Sequence, residues 1–98
     1  MDKEQIKVLL IDWLNDVNDM NRTIRFIYHW VKYKMPDLEE NRLREFVNKL
    51  YQSALMPSFF NENPATVAIR QLLEIAKVEL EVNAIVKTED YNQIIKYY

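Results

Sequence analysis

The sequence predicts an all-α fold, an antiparallel four-helix bundle with a C-terminal tail, and three observations carry that prediction. Apolar residues recur at offsets of three and four along most of the chain, whereas strand-like alternation and two-residue hairpin turns are hard to find. Stop and start signals at Pro36, Pro57 and Asn63-Pro64 cut the pattern into helix-length pieces. The connections between the pieces are short, which makes successive helices antiparallel. The chain of 98 residues reads as one domain over 1–98, long enough to bury about 65% of the surface its unfolded form exposes.

The first helix is expected over about residues 4 to 19, with Ile6, Leu9, Leu10, Trp13, Leu14 and Val17 on one buried stripe and Asp2 with Gln5 as its cap. The second is expected over about 22 to 34, burying Ile24, Ile27, Tyr28, Val31 and Met35, and ending at Pro36 because proline disfavours a helical residue before it. The third, about 38 to 56, carries Leu43, Phe46, Val47, Leu50, Tyr51 and Ala54 on one face, with Asp37 and Glu40 spaced as a capping box. Asn63-Pro64 opens the fourth, a cap residue followed by a proline that lacks an otherwise orphaned N–H. That helix runs to about Asn83 with a stripe of Ala65, Ile69, Leu72, Leu73, Ala76 and Leu80. A second apolar arc of Ala68, Ile75, Val78 and Val82 predicts the most enclosed helix of the bundle. In the tail, about 86–98, Ile94, Ile95, Tyr97 and Tyr98 are apolar enough to dock on that second arc or to meet a partner.

Composition removes several function classes. Without cysteine there is no disulfide framework, thiolate nucleophile or thiolate metal site. The absence of glycine sets aside phosphate loops and dinucleotide-binding turns, which need backbone positions that glycine fills readily. No apolar run approaches a membrane span, and the opening Met1-Asp2-Lys3-Glu4 lacks the basic start of a secretory signal, so the expected location is the cytoplasm, with peripheral membrane contact left open. The net charge of -2 argues against nucleic acid as a partner.

Residues 21–35 run against that charge, with Arg22, Arg25, Lys32 and Lys34, four aromatic side chains, the only histidine and no acid. On a helical wheel Arg22, Arg25, His29 and Lys32 lie opposite the expected buried stripe, and Phe26, Trp30 and Tyr33 form a third line turned away from it. Three readings are open. The cations form a solvated face whose aromatic neighbours are covered by another helix or the tail. Alternatively they pair with the first helix, Asp19 with Arg22, Asp16 with Arg25 and Asp12 with His29. Or Arg22, Arg25, Phe26, Trp30 and Lys32 present a docking surface to an anionic membrane or a protein. Reading of DNA fits less well, because Asp16 and Asp19 in the lead-in repel phosphate.

Catalysis finds little material. His29 is the only imidazole, Ser53 and Ser58 are the only serines, and their spacing implies no acid-histidine-serine set. A di-iron bundle site needs Glu-x-x-His on two helices, which one histidine cannot supply. Glu39 and Glu40 read as charges complementing a helix start. Thus no catalytic residue, metal site or cofactor is assigned. Phe59 and Phe60, adjacent in a polar loop, either plug the end of the bundle or anchor a partner.

The run Asn48-Lys-Leu-Tyr-Gln-Ser-Ala-Leu55, the phenylalanine-bearing loop and Leu72-Leu-Glu-Ile-Ala76 resemble the C-terminal half of the immunity proteins of pediocin-like bacteriocins. Overall length and helix order are also similar to that family. The resemblance implies a cytosolic four-helix bundle that protects a producing cell by binding. Its partner would be the membrane sugar-transporter receptor complex with the bacteriocin, met from the cytoplasmic side. It further implies that helix 4 and the tail, with Tyr91, Ile94, Ile95, Tyr97 and Tyr98, form the specificity surface. The chain differs from many members in having no glycine near its C-terminus. A regulatory or adaptor protein acting through the second helix or the tail is the alternative.

Overall fold

A computed structural model describes residues 2–17, 19–55 and 63–83, the side chain of Leu55 excepted. Four helices follow one another, α1 (Lys3–Asn15), α2 (Met20–Lys34), α3 (Glu40–Leu55) and α4 (Pro64–Glu79), and no strand occurs among the described residues. They form the expected antiparallel four-helix bundle, in which α1 packs on α2, α2 on α3 and α3 on α4. Residues 56–62 and 84–98 lie outside the described residues, and with them the expected tail and the candidates Phe59, Phe60, Tyr91, Ile94, Ile95, Tyr97 and Tyr98.

Local chemistry explains most helix ends. The Asp2 side chain accepts from the Gln5 amide at 2.9 Å while the Gln5 side chain accepts from the Asp2 amide at 2.9 Å, the reciprocal box expected of them. α1 stops at Asn15, four residues before its expected end, because Asp19 serves as N-cap of α2 and accepts from the Arg22 amide at 3.1 Å. Thr23 holds the turn by donating its hydroxyl to the Asp19 carbonyl at 2.9 Å. α3 starts at Glu40, so Glu40 stands at the first helical position and not at the third, where a box with Asp37 would need it. α4 opens as expected, Asn63 accepting from the Ala65 amide at 2.9 Å with Pro64 behind it.

One core joins all four helices: Ile6, Leu10 and Trp13 from α1, Phe26, Ile27, Trp30 and Val31 from α2, Leu43, Val47 and Ala54 from α3, and Ile69, Leu73 and Ala76 from α4, with Leu80 just beyond. Two expectations change here. Phe26 and Trp30, placed on an outward line from sequence, are 0% and 5% exposed, whereas Met35 is 49% exposed and Ile24 and Tyr28 are half-buried. Trp30 lies roughly 60° from Ile27 around a helix, so it borders the aliphatic stripe and does not oppose it. A buried Phe or Trp also removes far more apolar area from water than Met35 at the C-cap would. Phe26 stacks between Trp13 and Trp30, with ring centroids 5.2 and 5.9 Å away.

The second change concerns α4, expected to be the most enclosed helix. Ile75 and Val78 on its second arc are 54% and 79% exposed. α4 stands last in the order of packed neighbours, so it meets α3 and the shared core on one face, and of the second arc Val82 packs on the core while Ile75 and Val78 are exposed. Phe46 of α3 is likewise exposed although its spacing put it on the buried face.

Candidate functional site at the α2–α3 cleft

Where α2 and α3 meet, one stripe of each helix faces the other across an open cleft of about 460 Å³. α2 supplies Asn21, Ile24, Arg25, Tyr28 and His29 at helical spacing, and α3 supplies Arg44, Val47 and Asn48 at offsets of three and four. Val47 is buried and Ile24 half-buried, which gives the cleft an apolar floor under polar walls.

Glu40 organises one end of this region. Its carboxylate accepts from the Tyr28 hydroxyl and from Arg44 Nε at 3.0 Å, and Lys32 Nζ lies 3.8 Å away. The hydrogen bond from Tyr28, then that from Arg44, holds the Glu40 carboxyl below its ordinary pKa. Hydrogen bonding to Glu40 in turn raises the Arg44 guanidinium above its usual value. Lys32 also sits 5.7 Å from the centre of the Tyr28 ring, within cation–π range. Sequence reading placed Tyr28 in the core and Glu40 in a cap; the fold uses both as polar links between α2 and α3.

His29 packs edge-on against Tyr28 with ring centroids 4.9 Å apart. Partial burial, followed by the positive charge of Lys32, pushes its pKa below the usual imidazole value. His29 is therefore a neutral donor and acceptor at the cleft wall near neutrality.

The sequence-derived candidates separate into three groups. Arg22 is engaged within the α1–α2 hairpin, 3.7 Å from Asp12 and 3.9 Å from Asp19. The Asp19 pairing was expected, but Asp12 meets Arg22 where His29 had been expected. Phe26 and Trp30 belong to the core, so the docking surface inferred for α2 loses both aromatic anchors. Arg25 and Lys32 remain on the outside, Lys32 beside Glu40 and Arg25 with no hydrogen bond or ion pair to any described residue.

Arg44, Asn48 and Asn21 are the members that sequence reading passed over. A signal for Arg44 was present in its i,i+4 spacing from Glu40, but only the crossing of α2 over α3 brings it opposite Arg25. Among the described residues no group of three His, Asp or Glu could hold a metal ion, and no helix is long and apolar enough to cross a membrane. No family model, curated protein or solved structure matches this chain.

Proposed function

We propose that this protein acts by binding, and specifically that it protects a bacteriocin-producing cell as an immunity protein of the pediocin-like type. The observation that carries this reading is the helical hairpin of α3 and α4 within a four-helix bundle, the architecture that the likeness of residues 48–76 implies. α4 offers an exposed apolar arc, Ile75 and Val78, on the half of the molecule that would meet the receptor complex. The exposed cations of α2 add a face attracted to anionic groups.

The test is expression of the chain in a strain sensitive to pediocin-like bacteriocins, with inhibitory concentrations read across a panel of peptides. A large, selective rise for one or a few peptides is expected. An unchanged panel with folded, expressed protein overturns immunity and favours the adaptor reading, for which Arg25 in the α2–α3 cleft is the specific observation.

A further inference from the structure

We propose that the α2–α3 cleft is a binding site for an acidic peptide segment of a partner protein, held through a carboxylate by Arg25 and Arg44 with its aliphatic neighbour over Ile24 and Val47. This inference is independent of the immunity reading, because it rests on the cleft alone.

Charge is the first support. Arg25 and Arg44 line the cleft and Lys32 stands at its end beside Glu40, the carboxylate that accepts from Arg44, while no acid is among the described residues that line the cleft itself. Arg25 is left without an anionic partner among the described residues, on a wall where its guanidinium can take a carboxylate through two parallel hydrogen bonds. Arg44 bonds to Glu40 through Nε at 3.0 Å and also interacts with Tyr28, and its guanidinium carries five N–H donors with which to meet an incoming acid as well.

Shape is the second. The volume of about 460 Å³ is within the range of ligand-binding clefts, and its open form suits a segment of chain better than an enclosed small molecule. Asn21 and Asn48 stand on facing helices, each with a carboxamide that both donates and accepts, as a peptide backbone requires. The aliphatic groups are recessed, Val47 being 2% exposed. A membrane surface calls for apolar side chains that project into lipid, which this concave site does not present. Charge complementarity and a recessed apolar floor together select an acidic, aliphatic peptide.

The experiment uses the full chain and fluorescence anisotropy with a panel of labelled peptides that place Asp or Glu beside Leu, Ile or Val. Matched peptides with Lys for the acids, and vesicles of phosphatidylglycerol, serve as the other arms. Saturable binding of acidic members is expected, weakened about tenfold or more by Arg25→Glu. Amide NMR shifts on binding should centre on Asn21, Arg25, Arg44 and Asn48. Because Arg25 is exposed and makes no ion pair with any described residue, R25E should keep the helical circular dichroism of the parent, and Asn48→Ala provides a second, neutral probe. The proposal is overturned by any of three results: no member binds, R25E binds as tightly as the parent, or the vesicles alone bind.

Discussion

At the scale of single residues, Phe26 shows what the helical wheel leaves open. Its fully buried ring lies between two tryptophans, so Phe26→Ala should cost about 3–5 kcal/mol in urea unfolding, while the neighbouring Arg25→Ala should change stability by about 0.5 kcal/mol or less. Comparable losses for the two would contradict the burial of Phe26. Trp13 is also 0% exposed, yet its indole N–H has no hydrogen-bond partner among the described residues. Trp13→Phe therefore gives up packing area but removes an orphan donor that costs about 1–3 kcal/mol, and the net loss should be smaller than that of Phe26→Ala. Titration adds a third test. Glu40 has a lowered folded-state pKa, so its stabilising contribution is present above the unfolded value of 4.5 and disappears as pH falls through the folded value. His29 is lowered too, so the unfolded chain takes up a proton first and stability declines as pH drops below 6.5. Plots of Tm against pH should flatten in the acid limb for Glu40→Gln and just below 6.5 for His29→Gln.

At the scale of elements, the starts of α1 and α4 and the stop of α2 before Pro36 were legible, whereas the start of α3 and the stops of α1 and α4 were not. Asp2 with Gln5 and Asn63 with Pro64 announce themselves because a cap satisfies nearby amides and needs no distant partner. The end of α4 does not. The Val82 amide donates to the Lys77 carbonyl at 2.9 Å and the Glu81 amide to the Val78 carbonyl at 3.2 Å, a Schellman closure that turns on Glu81 at φ 57. Glycine usually marks that position, and this chain has none, so nothing in the residue pattern ended the helix before Asn83. Glu81→Gly should relieve the left-handed strain and stabilise by about 0.5–1 kcal/mol in urea unfolding. No gain would show that the turn is held without strain. The α3–α4 hairpin is also tied across its ends: the buried Thr66 hydroxyl donates to the Ala54 carbonyl at 3.0 Å, and the Asn63 carboxamide to the Ser53 carbonyl at 2.6 Å. Thr66→Val keeps shape and removes a donor, with an expected loss of about 1–3 kcal/mol by the same measurement.

At the scale of the whole molecule, both tryptophans sit in a core to which every helix contributes, so fluorescence and far-UV circular dichroism should report one cooperative transition with superimposable urea curves. Helical signal lost ahead of fluorescence would mean that α4 detaches first. The link between Lys34 and Glu79 at 2.6 Å, with Lys34 also 5.3 Å from the centre of the Trp30 ring, couples the end of α2 to α4 and favours joint unfolding. Periodicity, caps and prolines by themselves determined an all-α chain of four helices and most of its core, because each of those signals acts over a turn or two of backbone. Only the tertiary structure decided which arc of α2 is buried, that Ile75 and Val78 of α4 are exposed while Val82 packs on the core, and that Arg25 and Arg44 share a cleft. A wheel specifies angles within one helix and says nothing of its neighbours; α2 is packed between α1 and α3, and that placement turned Phe26 and Trp30 inward and left Arg25 beside an open groove.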